Sequence, residues 1–177
     1  MSNYIRPKIA GACIFFTLNL ANRGTNVLVE EVESLRHAFT ITMNERPFTI
    51  NAIVILPDHM HTVLTLPESD NDYATRWRII KARFSRKVEK GHLRPSHVAR
   101  KERGVWQRRY WEHHIRDDKD YRKHVEYCWL NPVKHGLVEK PVEWPHSSIH
   151  RDIRLGQVSG EWQRPRDGAW GPRTLQL

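Results

Sequence analysis

The spacing of apolar residues changes from segment to segment along the chain, and each change predicts an element. Cys13 to Leu20 (CIFFTLNL) is rich in apolar and β-prone residues, and Asn22-Arg23-Gly24 follows as a turn signal, so a strand is expected. Leu28, Val32, Leu35, Phe39 and Met43 then recur at spacings of four, three, four and four, the face of an amphipathic helix that ends before Pro47. Phe48 to Leu56 (FTINAIVIL) is almost continuously apolar and β-branched, which predicts a central strand. Pro57-Asp58 interrupts it. His61 to Leu66 (HTVLTL) resumes as a strand, close enough to be an antiparallel neighbour.

Asp72 to Lys90 predicts a second helix, with Trp77, Ile80 and Phe84 inward and many Arg and Lys outward. A basic loop follows from Gly91 to Gly104, then a short strand at Trp106 to Ile115. Asp117-Asp118 offers an N-cap for a third helix from Lys119 to Asn131. That helix is expected to end or kink at Asn131, because a residue before proline disfavours the α region. Within it Tyr121, Val125, Cys128 and Pro132 form an apolar stripe suited to a core. Beyond Gly136 the chain reads as irregular. The order β-α-β-β-α-β-α predicts an α+β fold: a ferredoxin-like (RRM-like) antiparallel sheet with helices mainly on one face, plus a C-terminal extension. One domain is expected over 1–155, with an irregular or partly disordered tail over 156–177.

Composition narrows the classes. The chain has 177 residues, 29 Lys+Arg against 20 Asp+Glu, a formal net charge of +9 and a pI near 9.9. Two cysteines, Cys13 and Cys128, exclude a disulfide framework and a four-cysteine zinc site. No stretch approaches the ~20 apolar residues of a membrane span, and the start lacks the apolar core of a secretory signal, so a cytoplasmic protein is expected. The positive balance calls for an anionic partner. Because the cations are spread over several segments and interleaved with aromatics, nucleic acid is favoured over a membrane surface.

Asp58-His59-Met60-His61 stands at the head of a strand, where alternation puts His59 and His61 on one face. Two imidazoles so placed can hold one divalent metal, or they can be an inert hydrogen-bonded pair. A second polar set falls on the third helix: Asp120, His124, Tyr127 and Asn131, at spacings of four, three and four. Tyr127 and Asn131 lie one turn apart, so a phenol and an amide oxygen can reach the same ion. His124 shares their face and could orient the phenol or a phosphate. Arg78, Lys81 and Arg83 on the second helix, with Arg108 and Arg109 further on, are candidate phosphate contacts. Trp106 and Trp111 are expected in the core rather than as stacking platforms. His113 and His114 fall on opposite strand faces, so at most one can point to the site.

The run YCWLNPVKHGLV from Tyr127 to Val138, with DHMH upstream and WQRRYWEHHIRDDKDYRKHVEY between them, resembles the REP-associated tyrosine transposases. These are single-tyrosine members of the HUH endonuclease superfamily, named for its His-hydrophobic-His pair. The resemblance spans about Gly11 to Asp152. It implies a ferredoxin-like fold that cleaves and rejoins single-stranded DNA at hairpins of repetitive extragenic palindromes. It further implies His59 and His61 as metal ligands, Asn131 as a third protein ligand, Tyr127 as nucleophile, and Mg²⁺ or Mn²⁺ as cofactor. Larger insertion-sequence relatives commonly carry glutamine where this chain has the shorter Asn131, and they are dimers; this chain is expected to be a monomer.

Attack by a tyrosine would leave a 5′-phosphotyrosine link and a free 3′-hydroxyl, keeping the bond energy so that rejoining needs no ATP. The chain accordingly carries no G-x-x-x-x-G-K-[ST] phosphate loop. A free phenol, with pKa ~10, is only about one part in a thousand ionised at neutral pH, so positive charge is needed nearby. The alternatives are a non-catalytic single-stranded nucleic-acid-binding module on the same fold and a hydrolase that activates water.

Overall fold

The computed structural model describes residues 7–89, 91, 93 and 95–162. Four antiparallel strands, β1 (Cys13–Asn19), β2 (Thr49–Ile55), β3 (His59–Thr65) and β4 (Trp111–His114), lie in the order β2-β3-β1-β4. Helices α1 (Val27–Glu30) and α2 (Val32–Glu45) connect β1 to β2. Helix α3 (Tyr73–Lys87) and the short α4 (Pro95–Ala99) connect β3 to β4. This is the expected α+β, ferredoxin-like arrangement. After β4 come α5 (Asp118–Lys134), a 3-10 turn (Pro141–Glu143) and α6 (Ile149–Arg154).

Strand alternation sorts the sheet into two faces. Ile14, Phe16, Leu18, Met60 and Leu64 pack with Leu35, Phe39, Trp77, Ile80 and Phe84 from α2 and α3. Phe15, Ala52, Val54 and Val63 point the other way and meet Val125, Cys128 and Trp129 of α5 and Ile149 of α6. The expected apolar stripe on the third helix is therefore buried, but in a second core. Helices cover both faces, where most were expected on one.

Several boundaries differ for local reasons. Pro57-Asp58 is the two-residue link of a tight hairpin closed by Leu56 N–H donating to His59 O (2.9 Å), so β3 begins two residues earlier than expected and includes both histidines. Trp106 makes only an isolated bridge to Leu20, and β4 is confined to four residues. Helix α5 does not stop at Asn131: Pro132 sits inside it and is buried. The missing proline N–H costs one helical bond, yet the last turn closes through His135 N–H to Asn131 O (3.0 Å) and Leu137 N–H to Pro132 O (2.9 Å) around Gly136 at φ 66°.

The stretch expected to be irregular after Gly136 is tied to the β2 edge. Ile55 N–H donates to His146 O (2.9 Å), Ser148 N–H to Ile53 O (2.8 Å), and the Arg151 guanidinium to Ile50 O (2.7 Å). These bonds cover an otherwise open strand edge. Of the expected tail over 156–177, the ring of Trp162 packs on Trp129 at 5.1 Å, and residues 163–177 lie outside the described residues. No helix among the described residues is long and apolar enough to cross a membrane.

Phe16 is fully buried where Tyr73, Trp77 and Tyr110 meet, with ring centroids 5.2 to 5.7 Å away. Phe16→Ala is expected to destabilise the fold by about 3–5 kcal/mol, measured as a lower denaturation midpoint. A loss under about 1 kcal/mol would contradict this packing.

Candidate active site

Period-two alternation on β3 turns His59 and His61 to the α5 face and sends Met60 into the opposite core, their ring centroids 5.2 Å apart. Each ring is held from behind. His59 Nδ1 lies 2.7 Å from Asp58 Oδ1; an ionised carboxylate only accepts, so Nδ1 carries the proton and Nε2 keeps a lone pair. Asp58 is itself fixed by Gly24 N–H (2.7 Å) and Arg23 Nε (2.9 Å). Gly24, at φ 78°, makes the turn that presents this N–H. His61 pairs in register with Thr17 of β1, whose hydroxyl lies 2.8 Å from His61 Nδ1, leaving Nε2 clear of that contact.

Both imidazoles are driven neutral. Burial, reinforced by the neighbouring His59, His135, Lys134 and Arg23, pushes His61 down to about 3. Burial also lowers His59, against the opposing pull of the Asp58 hydrogen bond. Burial would raise Asp58, but Gly24 N–H, His59 and Arg23 outweigh it and hold the carboxyl below its usual range. The pair is therefore a set of neutral nitrogen donors backed by an anion.

Helix α5 brings Tyr127 to this pair. The phenol ring stands edge-on to His61 at 5.0 Å and to Phe15 at 5.7 Å, and Phe15 also stacks under His61 at 5.6 Å. Tyr127 is 37% exposed, open to a large substrate. Lys134 Nζ lies 5.3 Å from the centre of the Tyr127 ring. Asn131, one turn on, is 1% exposed; its Nδ2 donates to Tyr127 O (3.4 Å), while its buried Oδ1 has no partner among the described residues. His135, at the end of α5, sets its ring 4.9 Å from His59.

Of the residues singled out above, His59, His61 and Tyr127 meet here, and Asn131 lies one turn from the phenol. His124 is one turn before Tyr127, but its Nδ1 turns back to Asp120 O (2.8 Å). His113 faces α5 and donates through Nε2 to Asp120 Oδ2 (2.7 Å), whereas His114 faces Tyr73 on the other side, its ring 6.1 Å away. Ligand atoms of His113, Asp120 and His124 lie within 4.8 Å of one another, near enough for a metal ion. The same Asp120 oxygen, however, also accepts from Arg116 N (3.2 Å) and Nε (3.3 Å). Asp120 is held at about 2: burial would raise it, but the His113 and Arg116 hydrogen bonds prevail.

The candidate phosphate contacts lie elsewhere. Arg78, Lys81 and Arg108 line a cavity of about 560 Å³ between α3 and the segment 100–110. Within it Lys81 donates to Gln107 O (2.6 Å) and Arg108 to Glu102 (2.8 Å). Arg83 reaches across to Thr42 and Glu45 of α2. Arg109 is exposed. Trp106 is buried as expected, but Trp111 is 55% exposed on β4. β4 is an edge strand, and an edge leaves one flank without neighbours to cover a large ring.

Sequence reasoning missed Thr17, Phe15 and Lys134. Strand alternation could have aligned Phe15 and Thr17 with His61 once β1 was paired with β3. His135 and Lys134 became reachable only because α5 runs through Pro132.

An open Tyr127 beside a backed histidine pair, on a ferredoxin-like sheet, is a site built for a large anionic substrate. No family model matches the chain. The chain is 45% identical over 162 residues to the REP-associated tyrosine transposase of Escherichia coli (strain K12), covering 92% of this chain and 91% of that one. A relative from Haemophilus influenzae (strain ATCC 51907 / DSM 11121 / KW20 / Rd) is 42% identical over 164 residues, covering 92% of this chain and 93% of its own. A solved structure described as a REP-associated tyrosine transposase bound to a REP hairpin superimposes with a TM-score of 0.81 at 42% identity. That match covers 99% of this chain and 100% of the other. The protein is a DNA transposase. It belongs to the REP-associated tyrosine transposases.

The depressed His61 has a consequence for stability. Between its ordinary value of 6.5 and about 3, the unfolded chain binds a proton that the folded chain refuses. Stability is therefore full above that window and falls as pH drops through it, by on the order of 1 kcal/mol per pH unit from this group. In metal-free buffer, urea titrations between pH 7 and 5 should show a shallower slope for His61→Gln than for the parent. Equal slopes would contradict the assignment.

Proposed function

We propose that the chain is a metal-dependent single-strand DNA endonuclease and strand transferase that acts at REP-type hairpins through Tyr127. The observation that carries this reading is the meeting of Tyr127 with the His59/His61 pair, 5.0 Å between the Tyr127 and His61 rings, on one face of one sheet. Tyr127 Oη would bond to phosphorus, the phosphorus–O3′ bond would break, the phenolic proton would be given up and the departing 3′ oxygen would take one up. The product is a 5′-phosphotyrosine and a free 3′-hydroxyl. Reversal with a different 3′-hydroxyl joins strands without ATP.

The donors suit a divalent cation: two neutral imidazoles whose Nδ1 atoms are already engaged, and the orphaned buried Asn131 Oδ1. His59, His61 and Asn131 would hold it. When bound, Mg²⁺ or Mn²⁺ supplies positive charge that polarises a phosphate. Lys134 adds a fixed charge beside the phenol, where the anionic strand must arrive. Asp58 and Thr17 keep the two rings turned outward, and Phe15 sets the angle between His61 and Tyr127.

The solved relative was bound to a REP hairpin, which supports the same kind of partner here. The cations around the α3 cavity, Arg78, Lys81 and Arg108, would track its phosphates. Because α5 and β3 of one chain complete the site, we take the active form to be a monomer, working in the bacterial cytoplasm where its DNA lies.

Incubated with Mn²⁺ and a pool of labelled hairpins with varied flanks, the protein should give a denaturant-resistant protein–DNA adduct. Tyr127→Phe should lose the adduct, and Asn131→Ala should reduce it by roughly tenfold or more. Cleavage that survives Tyr127→Phe would indicate activated water instead, and binding with no cleavage anywhere in the pool would indicate a binding module.

A further inference from the structure

Trp111 occupies an unusual position for so large an apolar ring. It stands on edge strand β4, 55% exposed, on the same face of the sheet as the active site. The strand register fixes its place relative to the chemistry. Trp111 lies opposite Thr17, and Thr17 lies opposite His61, so the three side chains form one row across β4, β1 and β3. Two strand spacings put the indole roughly 10 Å from His61. Phe15 touches both ends of that span, meeting Trp111 edge-on at 5.7 Å and stacking on His61 at 5.6 Å, and it also meets Tyr127 edge-on at 5.7 Å.

The indole is propped from one side. His113 runs nearly parallel to it, at 7° and 5.9 Å, and His124 runs nearly parallel to His113, at 19° and 4.7 Å. Asp120 pins this stack, accepting from His113 Nε2 at 2.7 Å and standing 3.2 Å from His124 Nδ1. Exposure rises along it: the His124 and His113 side chains are 13% and 26% exposed, and Trp111, taken as a whole residue, is 55% exposed. An ordered column of flat rings that ends in an open indole is shaped to be continued by another flat ring. Arg109, two residues before Trp111, and Arg116, whose Nε reaches Asp120 at 3.3 Å, are exposed cations able to hold phosphates beside such a ring.

We infer that Trp111 is the stacking platform for an unpaired base of the substrate strand, within a few nucleotides of the scissile phosphate. His113, His124 and Asp120 are positioning residues that hold the indole in place, so the His-Asp-His cluster serves as a buttress rather than as a second metal site. The inference rests on the single-strand DNA reading above. It adds the residue that sets where along the strand Tyr127 attacks.

The test uses full-length Tyr127→Phe protein, which binds without cutting, and hairpins carrying 2-aminopurine at successive unpaired positions. Binding should quench the fluorescence of a probe near the cleavage position. Tyr127→Phe/Trp111→Ala should lose that quench, and Tyr127→Phe/Trp111→Phe should keep it. In cleavage assays Trp111→Ala should raise KM on the order of tenfold, with a much smaller change in kcat. Its melting temperature should stay near that of the parent, because the ring is exposed. The inference is overturned if no probe position shows a Trp111-dependent quench, or if KM is unchanged in Trp111→Ala. Failure of the nucleophile assignment would show separately, as absence of an adduct with the Tyr127 protein, and leaves the fluorescence result standing.

Discussion

Two imidazoles kept neutral on an interior strand of a sheet covered on both faces are the constraint around which the molecule is arranged. Burial at β3 strips water from His59 and His61, and a protonated ring there would be costly. The fold answers with partners for the Nδ1 atoms alone: a carboxylate anchored by Arg23 and Gly24 for His59, and a hydroxyl from the next strand for His61. For His59 the carboxylate keeps the proton on Nδ1 and leaves Nε2 as a lone pair. α5 then closes the same face with Tyr127, Lys134 and an amide oxygen left without a partner among the described residues.

The two faces of the sheet divide the work. On one, α2 and α3 bury an aromatic core and carry cations around a cavity. On the other, α5 and α6 bury a smaller core beside the site, and Phe15, a member of that core, also packs on the rings of His61, His124 and Tyr127. Flat rings tolerate little tilt before losing contact, so this packing holds the phenol and the imidazoles at set angles.

Much of this was legible from residue order alone, because period is local. The alternation at Asp58-His59-Met60-His61 and the helical spacing of Tyr127 and Asn131 each depend on a handful of neighbours, and both hold. What was not legible depends on tertiary partners. The helix was expected to end or kink before Pro132, and it runs on to Lys134, because the proline ring is buried and the last turn closes around Gly136. Trp111 was expected in the core, and it is exposed, because β4 is an edge strand. The chain after Gly136 holds only a 3-10 turn and the short α6, too brief to show a period, and it is anchored by backbone bonds from His146 and Ser148 to β2. His135 sits beside His59 only because of that extra turn of α5.

The most direct measurement is the chemical location of the DNA on the protein. Trapped adduct would be digested with protease and nuclease and the modified peptide sequenced by mass spectrometry. The account predicts a nucleotide joined through its 5′ phosphate to Tyr127 and to no other residue. Attachment to Tyr110, Tyr121 or any residue other than Tyr127, or through a 3′ phosphate, would contradict it.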